Sequence, residues 1–168
     1  MELTEDFAIV PTVGDDHIEL HAAFARIVAA DEGYPHAPDV PLSFAQFSTY
    51  WIEPATHPHV ARERTSGELA GAYTMKPNGV GRAAHVANAG YFVAAGFRKR
   101  GLGEALVRHS MDTARRAGFD AMQFNLVFEA NPARRLYERL GFRSVGRVPD
   151  VIDGQAVHLY WRALTDHR

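Results

Sequence analysis

The chain has 168 residues, 46% hydrophobic and 23% charged, with 14 glycines, 9 prolines and no cysteine, the composition of one globular domain able to hold a core without disulfides. The absence of cysteine removes thiolate zinc sites, disulfide frameworks and cysteine nucleophiles. A formal charge of −2 and a pI near 6.5 provide no overall positive field for a nucleic-acid backbone, so nucleic acid is not an expected partner. The acidic start MELTEDF is unlike a signal peptide, and no apolar run approaches the length needed to cross a bilayer. A cytoplasmic protein without membrane contact is therefore expected.

Phe7 to Val13 reads as a first strand, and Asp15 to about Glu32 as a helix with Leu20, Phe24, Ile27 and Val28 at helical spacing. A loop follows at Gly33 and Pro35. Ser43 and Gln46 have capping-box spacing, which starts a second helix carrying Phe44, Phe47 and Trp51 and bounded by Pro54 and Pro58. Val60 to Thr65 and Leu69 to Lys76 flank Ser66-Gly67-Glu68 as strands flank a tight turn. His85 to Val93, apolar or small almost throughout, is a fourth strand, and Gly101 to Ala117 a helix ended by Gly118. In the fifth strand, Ala121 to Phe128, period-two alternation puts Met122, Phe124, Leu126 and Phe128 on one face and Gln123, Asn125 and Val127 on the other.

Asn131 and Pro132 open a short helix that Leu140-Gly141-Phe142 closes with a glycine cap. Ser144 to Val148 and Val157 to Trp161 are closing strands around a turn at Asp153-Gly154. The order is α+β with one strand–helix–strand crossover, residues 85–128.

Arg98-Lys99-Arg100-Gly101-Leu102-Gly103 lies between a strand and a helix. Successive N–H groups of such a turn can converge on phosphate oxygens, with the helix N-terminus adding partial positive charge; a turn that merely needs glycine freedom is the alternative. It is not a P-loop, because Glu104-Ala105 follows the second glycine where Lys-Ser/Thr is required, and the intervals of Gly96, Gly101 and Gly103 do not fit a dinucleotide fingerprint.

The segment resembles the pyrophosphate loop of the GCN5-related N-acetyltransferase (GNAT) family, Gln/Arg-x-x-Gly-x-Gly/Ala after the fourth strand. Asn131, Leu136-Tyr137 and Leu140-Gly141-Phe142 resemble a later segment of the same family. The resemblance implies a single GNAT-like α+β domain over 1–168, with a mixed, mostly antiparallel sheet of about seven strands flanked by about four helices. It implies acetyl-CoA as co-substrate, with the amides of Lys99, Gly101, Gly103 and Glu104 around Leu102 on its pyrophosphate and Arg98 and Arg100 supplying charge. Phe92 and Val93 would pair with the pantetheine arm, Asn131 would contact the cofactor, and Tyr137 would protonate the leaving thiolate.

The fourth strand has no glutamate where family members often carry a base; Asn88 stands there, and Asn125 lies on the next strand. Asn88-Ala89-Gly90-Tyr91 with Gln123-Phe124-Asn125 also resembles the branch that includes fungal acetyltransferases of proline analogues such as azetidine-2-carboxylate, which implies that Asn88 and Asn125 bind a substrate amino acid and assist transfer. The expected reaction is acetylation of a primary or secondary amine of a small molecule. A peptide or protein amine and a non-catalytic acyl-CoA sensor stay open, as do monomer and homodimer. One or two of Tyr34, Phe44, Phe47, Tyr50 and Trp51 would line the acceptor pocket. His85 is a candidate base, His109 is structural, and His57-Pro58-His59 lacks zinc-site spacing, so no metal is expected.

Overall fold

The computed structural model describes residues 5–165. Seven strands, β1 (Phe7–Pro11), β2 (His59–Glu63), β3 (Leu69–Pro77), β4 (Val86–Val93), β5 (Ala121–Phe128), β6 (Arg143–Ile152) and β7 (Gln155–Ala163), form one sheet in the order β1-β2-β3-β4-β5-β7-β6. Only β4 and β5 run parallel. The other neighbours are antiparallel, and the chain passes between the two parallel strands through a helix, the long crossover that parallel strands require.

The helices are α1 (His17–Ala29), α2 (Phe44–Phe47, continued as a π turn over Ser48–Ile52), α3 (Leu102–Arg116) and α4 (Ala133–Arg139). Leu20, Phe24, Ile27 and Val28 of α1 pack with Phe47 and Trp51 on one face of the sheet, against Val60, Ala72 and Phe92. Leu102, Leu106 and Met111 of α3 share a second core with Met75, Met122 and Phe124, which Tyr137, Leu140 and Phe142 join from the α4 end. Each fully buried large apolar side chain contributes about 1.5–3 kcal/mol. No described helix is long and apolar enough to cross a membrane.

Local signals set the ends of these elements. Ser43 Oγ accepts from Gln46 N and Gln46 Oε1 from Ser43 N, and Gly118 and Gly141 follow their helices at φ +86° and +83°. The alternation expected along β5 fails beyond Phe124. Its pairing with β7 shifts between Phe124 and Val127, so Val127 is buried and Leu126 only partly so; a bulge inserts one residue and reverses the faces. The closing hairpin is longer than expected, and Phe44 is exposed whereas Phe47 and Trp51 are buried.

One polar cluster lies under the α3 core. Tyr73 Oη lies 3.0 Å from His109 Nδ1 and donates to Thr113 Oγ1 at 3.2 Å, and the His59 ring stacks on Tyr73. Burial, then the neighbouring His59 and Arg116, hold the pKa of His109 down to about 4. The unfolded chain takes up this proton near pH 6.5 and the folded chain only near 4, so stability falls as pH drops through that window. In urea denaturation the advantage of wild type over His109→Gln should therefore shrink between pH 7 and pH 4.5; an advantage constant with pH would contradict the assignment.

Candidate active site

The site begins where the sheet opens. β4 and β5 pair only at Val86↔Ala121 and Ala87↔Met122, and beyond this the strands diverge. Asn88 bridges the start of the gap, donating from Nδ2 to Gln123 O at 3.0 Å. On its other side β4 is in regular antiparallel register with β3, where Ala94 N donates to Ala70 O and Asn78 N to Val86 O. Even-numbered residues of β4 thus bond to β3, and the backbone groups of Ala89, Tyr91 and Val93 face the gap. Two of these carbonyls have side-chain donors: Tyr34 Oη to Tyr91 O at 2.6 Å and Arg98 Nε to Val93 O at 3.3 Å. The Val93 N–H remains turned into the opening. Phe92, expected to pair through its backbone, faces β3 with its main chain and lines the groove instead.

Lys99 and Gly101 both have left-handed backbone, at φ +60° and +80°. Ala105 N, bonded to Gly101 O at 3.1 Å, is the first amide of α3 with a backbone partner; those of residues 99–104 have none among the described residues. These six consecutive N–H groups lie at the positive end of a 15-residue helix, where negative charge is favoured. The side chains divide. Arg98 lines the groove, its guanidinium paired with Glu32, whereas Arg100 does not supply charge there. It folds over Phe7 and Phe97 and pairs with Glu63 at 2.7 Å and Asp6 at 3.2 Å, because that apolar shelf and the two carboxylates lie on the β1–β2 side. Glu104 presents its amide at the turn, while its carboxylate, held below its ordinary pKa by Arg108 and then Arg139, accepts from Arg108 on α3 and from Arg139 on α4.

Two cavities meet at the gap. The larger, about 530 Å³, runs from Arg98 and Gly103 past Val93 to Pro132 and Leu136. The smaller, about 150 Å³, lies against β3 and the tip of β5. Tyr137, Asn131, Tyr91, Glu32 and Gly33 border both. Burial raises the pKa of Tyr137 above its ordinary value, so the phenol is protonated at neutral pH, and its ring is wedged against Phe124 with centroids 4.6 Å apart. Asn131 Oδ1 caps α4 by accepting from Ala133 N at 2.9 Å. Its amide nitrogen has no partner among the described residues and lies so close to Gly33 that a Cβ there would be 3.0 Å from it; the strap at Gly33, φ +78°, needs glycine for both reasons.

Asn88 and Asn125 both line the smaller cavity. Asn125 is exposed and already engaged, accepting from Gln123 Nε2 at 2.9 Å and donating to Asn78 Oδ1 at 2.6 Å. Of the five aromatics between 34 and 51, Tyr34, Tyr50 and Trp51 form a wall, and Phe44 and Phe47 do not. His85 is not in the lining and lies beside Arg82 O at 2.7 Å, which removes it as a base for this cavity. Among the described residues no three His, Asp or Glu side chains gather as a metal site. Thr74, Lys76 and Glu32 line the cavity without having been expected. Treating β3 and β4 as a hairpin would have found the first two, since Thr74 pairs with Gly90 and Lys76 with Asn88.

An α+β sheet opened between its parallel strands, with a free-amide turn at the mouth of the opening, defines the acetyltransferase architecture. The chain belongs to the family described as the acetyltransferase (GNAT) family, whose sequence pattern matches residues 20–142. It is similar to a GCN5-related N-acetyltransferase from Kribbella flavida, at 34% identity and TM-score 0.85 over 95% of this chain and 98% of that one. Among curated proteins it resembles N-acetyltransferase aca1 of Schizosaccharomyces pombe, 41% identical over 83 residues; the match takes in 49% of this chain and 40% of aca1, so the chain spans less than half of that relative's length. The fold is also shared with yncA from Salmonella typhimurium, a structure with its cofactor acetyl-CoA, at 18% identity and TM-score 0.80 over 98% and 97% of the two chains.

Replacing Asn131 by Ala removes the α4 cap and should cost about 0.5–2 kcal/mol. Urea denaturation of the two proteins reads this directly, and equal midpoints with equal slopes would contradict the capping role.

Proposed function

We propose that the protein transfers an acetyl group from acetyl-CoA to the amine of a small molecule, an amino acid or proline analogue. The observation that carries this reading is the run of unpartnered amides at 99–104 beside the unpaired edge of β4. Acetyl-CoA, when bound, supplies the activated acyl carbonyl. The amides from Lys99 to Glu104 hold its pyrophosphate with Arg98 beside them, and the larger cavity receives the pantetheine arm. Val93 N–H donates to the thioester oxygen as charge builds on it, and Asn131 Nδ2 is a further donor at the junction.

Tyr137 gives its phenolic proton to the departing sulfur. Its place on the border of both cavities suits a donor that acts where the C–S bond breaks as the C–N bond forms. The acceptor enters the smaller cavity. An amine arriving neutral needs no carboxylate base to attack; the proton its nitrogen sheds as the amide forms balances the one Tyr137 gives to sulfur and restores the phenol, and Asn88 Oδ1 orients the amine by accepting an N–H. Asn125, fixed by Gln123 and Asn78, shapes the floor through its amide. The yncA structure, with its acetyl-CoA on the same fold, supports the donor assignment; the aca1 likeness supports transfer to nitrogen.

Tyr137→Phe should lower kcat about a hundredfold or more while leaving acetyl-CoA affinity nearly as it was. An unchanged kcat with a good acceptor would remove Tyr137 as the acid. Thiol release from a panel of small amines, amino acids and peptides tests the reaction itself. Turnover confined to peptides would overturn the small-molecule assignment.

A further inference from the structure

The smaller cavity is unevenly charged. Among the described residues only two ionic side chains line it, Glu32 and Lys76. Glu32 is neutralised by Arg98, whose Nη1 lies 2.9 Å from Oε1 and whose Nη2 meets the other oxygen. Lys76 is half-buried and pairs with no carboxylate among the described residues. The lining thus holds one uncompensated cation in a partly dry space, where an anion from outside gains most.

The cavity's other polar groups are mostly occupied. Thr74 Oγ1 donates to Trp51 O at 2.9 Å, Tyr34 Oη to Tyr91 O, and both ends of the Asn125 amide are taken. Toward Tyr137, the Asn131 amide nitrogen and the Tyr50 and Tyr137 hydroxyls have no partner among the described residues; beside Lys76 the group with a free end is Asn88. Because its Nδ2 donates to Gln123 O, its free end is Oδ1, which only accepts. Lys76 stands directly across the ladder from Asn88 in an even-numbered, hydrogen-bonded pair, with Cα atoms about 5.5 Å apart and both side chains on the cavity face. A donor for an anion and an acceptor for an N–H are thus set side by side. That matches a molecule with an amine next to a carboxylate.

We infer that Lys76 is the carboxylate anchor of the acceptor site, and that the acceptor is a free amino acid rather than a bare amine or a peptide N-terminus. The inference rests on the proposed acetyl transfer and deepens it. A peptide N-terminus carries an uncharged amide where an amino acid carries the anion, and a polypeptide would also have to pass the wall of Tyr34, Tyr50 and Trp51 around a cavity of about 150 Å³. Lys76 therefore selects against peptides by charge, and the aromatic wall does so by size.

The test pairs each of a set of small amino acids with its carboxamide, at saturating acetyl-CoA, in wild type, Lys76→Met and Lys76→Arg. Wild type should favour the acids by about tenfold or more in kcat/KM, the scale of a charge-assisted hydrogen bond. Lys76→Met should raise KM for the acids by a similar factor with the KM of acetyl-CoA unmoved; the carboxamides, which lack the anion, should lose far less. Lys76→Arg should restore part of the acid preference. Acids and carboxamides used equally by wild type, or slowed equally in Lys76→Met, would overturn the anchor while leaving acetyl transfer intact. Failure of every amine to release thiol would instead sink the transfer reading. Calorimetry of the same amino acids on coenzyme A-loaded protein then still decides the anchor: binding lost in Lys76→Met upholds it, and equal binding in both proteins refutes it.

Discussion

The structure turns on the short parallel contact between β4 and β5. Two residue pairs hold the strands together at one end, and everything beyond them is a wedge. An open strand edge inside a sheet leaves backbone donors and acceptors without partners, which a stable fold tolerates only where side chains, water or ligand satisfy them. Here Asn88, Tyr34 and Arg98 each take one such group. The groups left over include the Val93 amide and those of the turn at 99–104, and these are the groups to which the proposed function assigns a ligand with a carbonyl at one end and an anion at the other.

Tyr137 is held at the meeting point of the two cavities by constraints at both ends of α4. The Asn131 side chain starts the helix, and Phe142 N bonds back to Tyr137 O at 3.0 Å after the left-handed Gly141. Phe142 then stacks on Phe124 with centroids 4.6 Å apart. A helix of only seven residues has little stability of its own. Its caps and the aromatic contacts to β5 place the phenol.

Local chemistry made much of this legible in the sequence. Ser43 with Gln46, Asn131 with Pro132, and the glycines at 118 and 141 announce helix ends by interactions within a few residues, and the glycine turn at 98–103 announces itself in the same way. Three features were hidden because their causes are distant in sequence. The bulge in β5 depends on how β7 pairs with it, so the faces of Leu126 and Val127 could not be read from alternation. Arg100 looked like a phosphate ligand, but Glu63, Asp6 and the Phe7 ring claim it. Lys76 and Glu32 enter the smaller cavity through the pairing of β3 with β4 and through the strap at residues 31–35.

Hydrogen–deuterium exchange with and without acetyl-CoA tests the central claim most directly, since it reads main-chain N–H groups. The account predicts that acetyl-CoA slows exchange in peptides covering 89–93 and 99–104, leaves the outer strand 143–152 unchanged, and does so where ATP has no such effect. Unchanged exchange in both segments, or equal slowing by ATP, would contradict it.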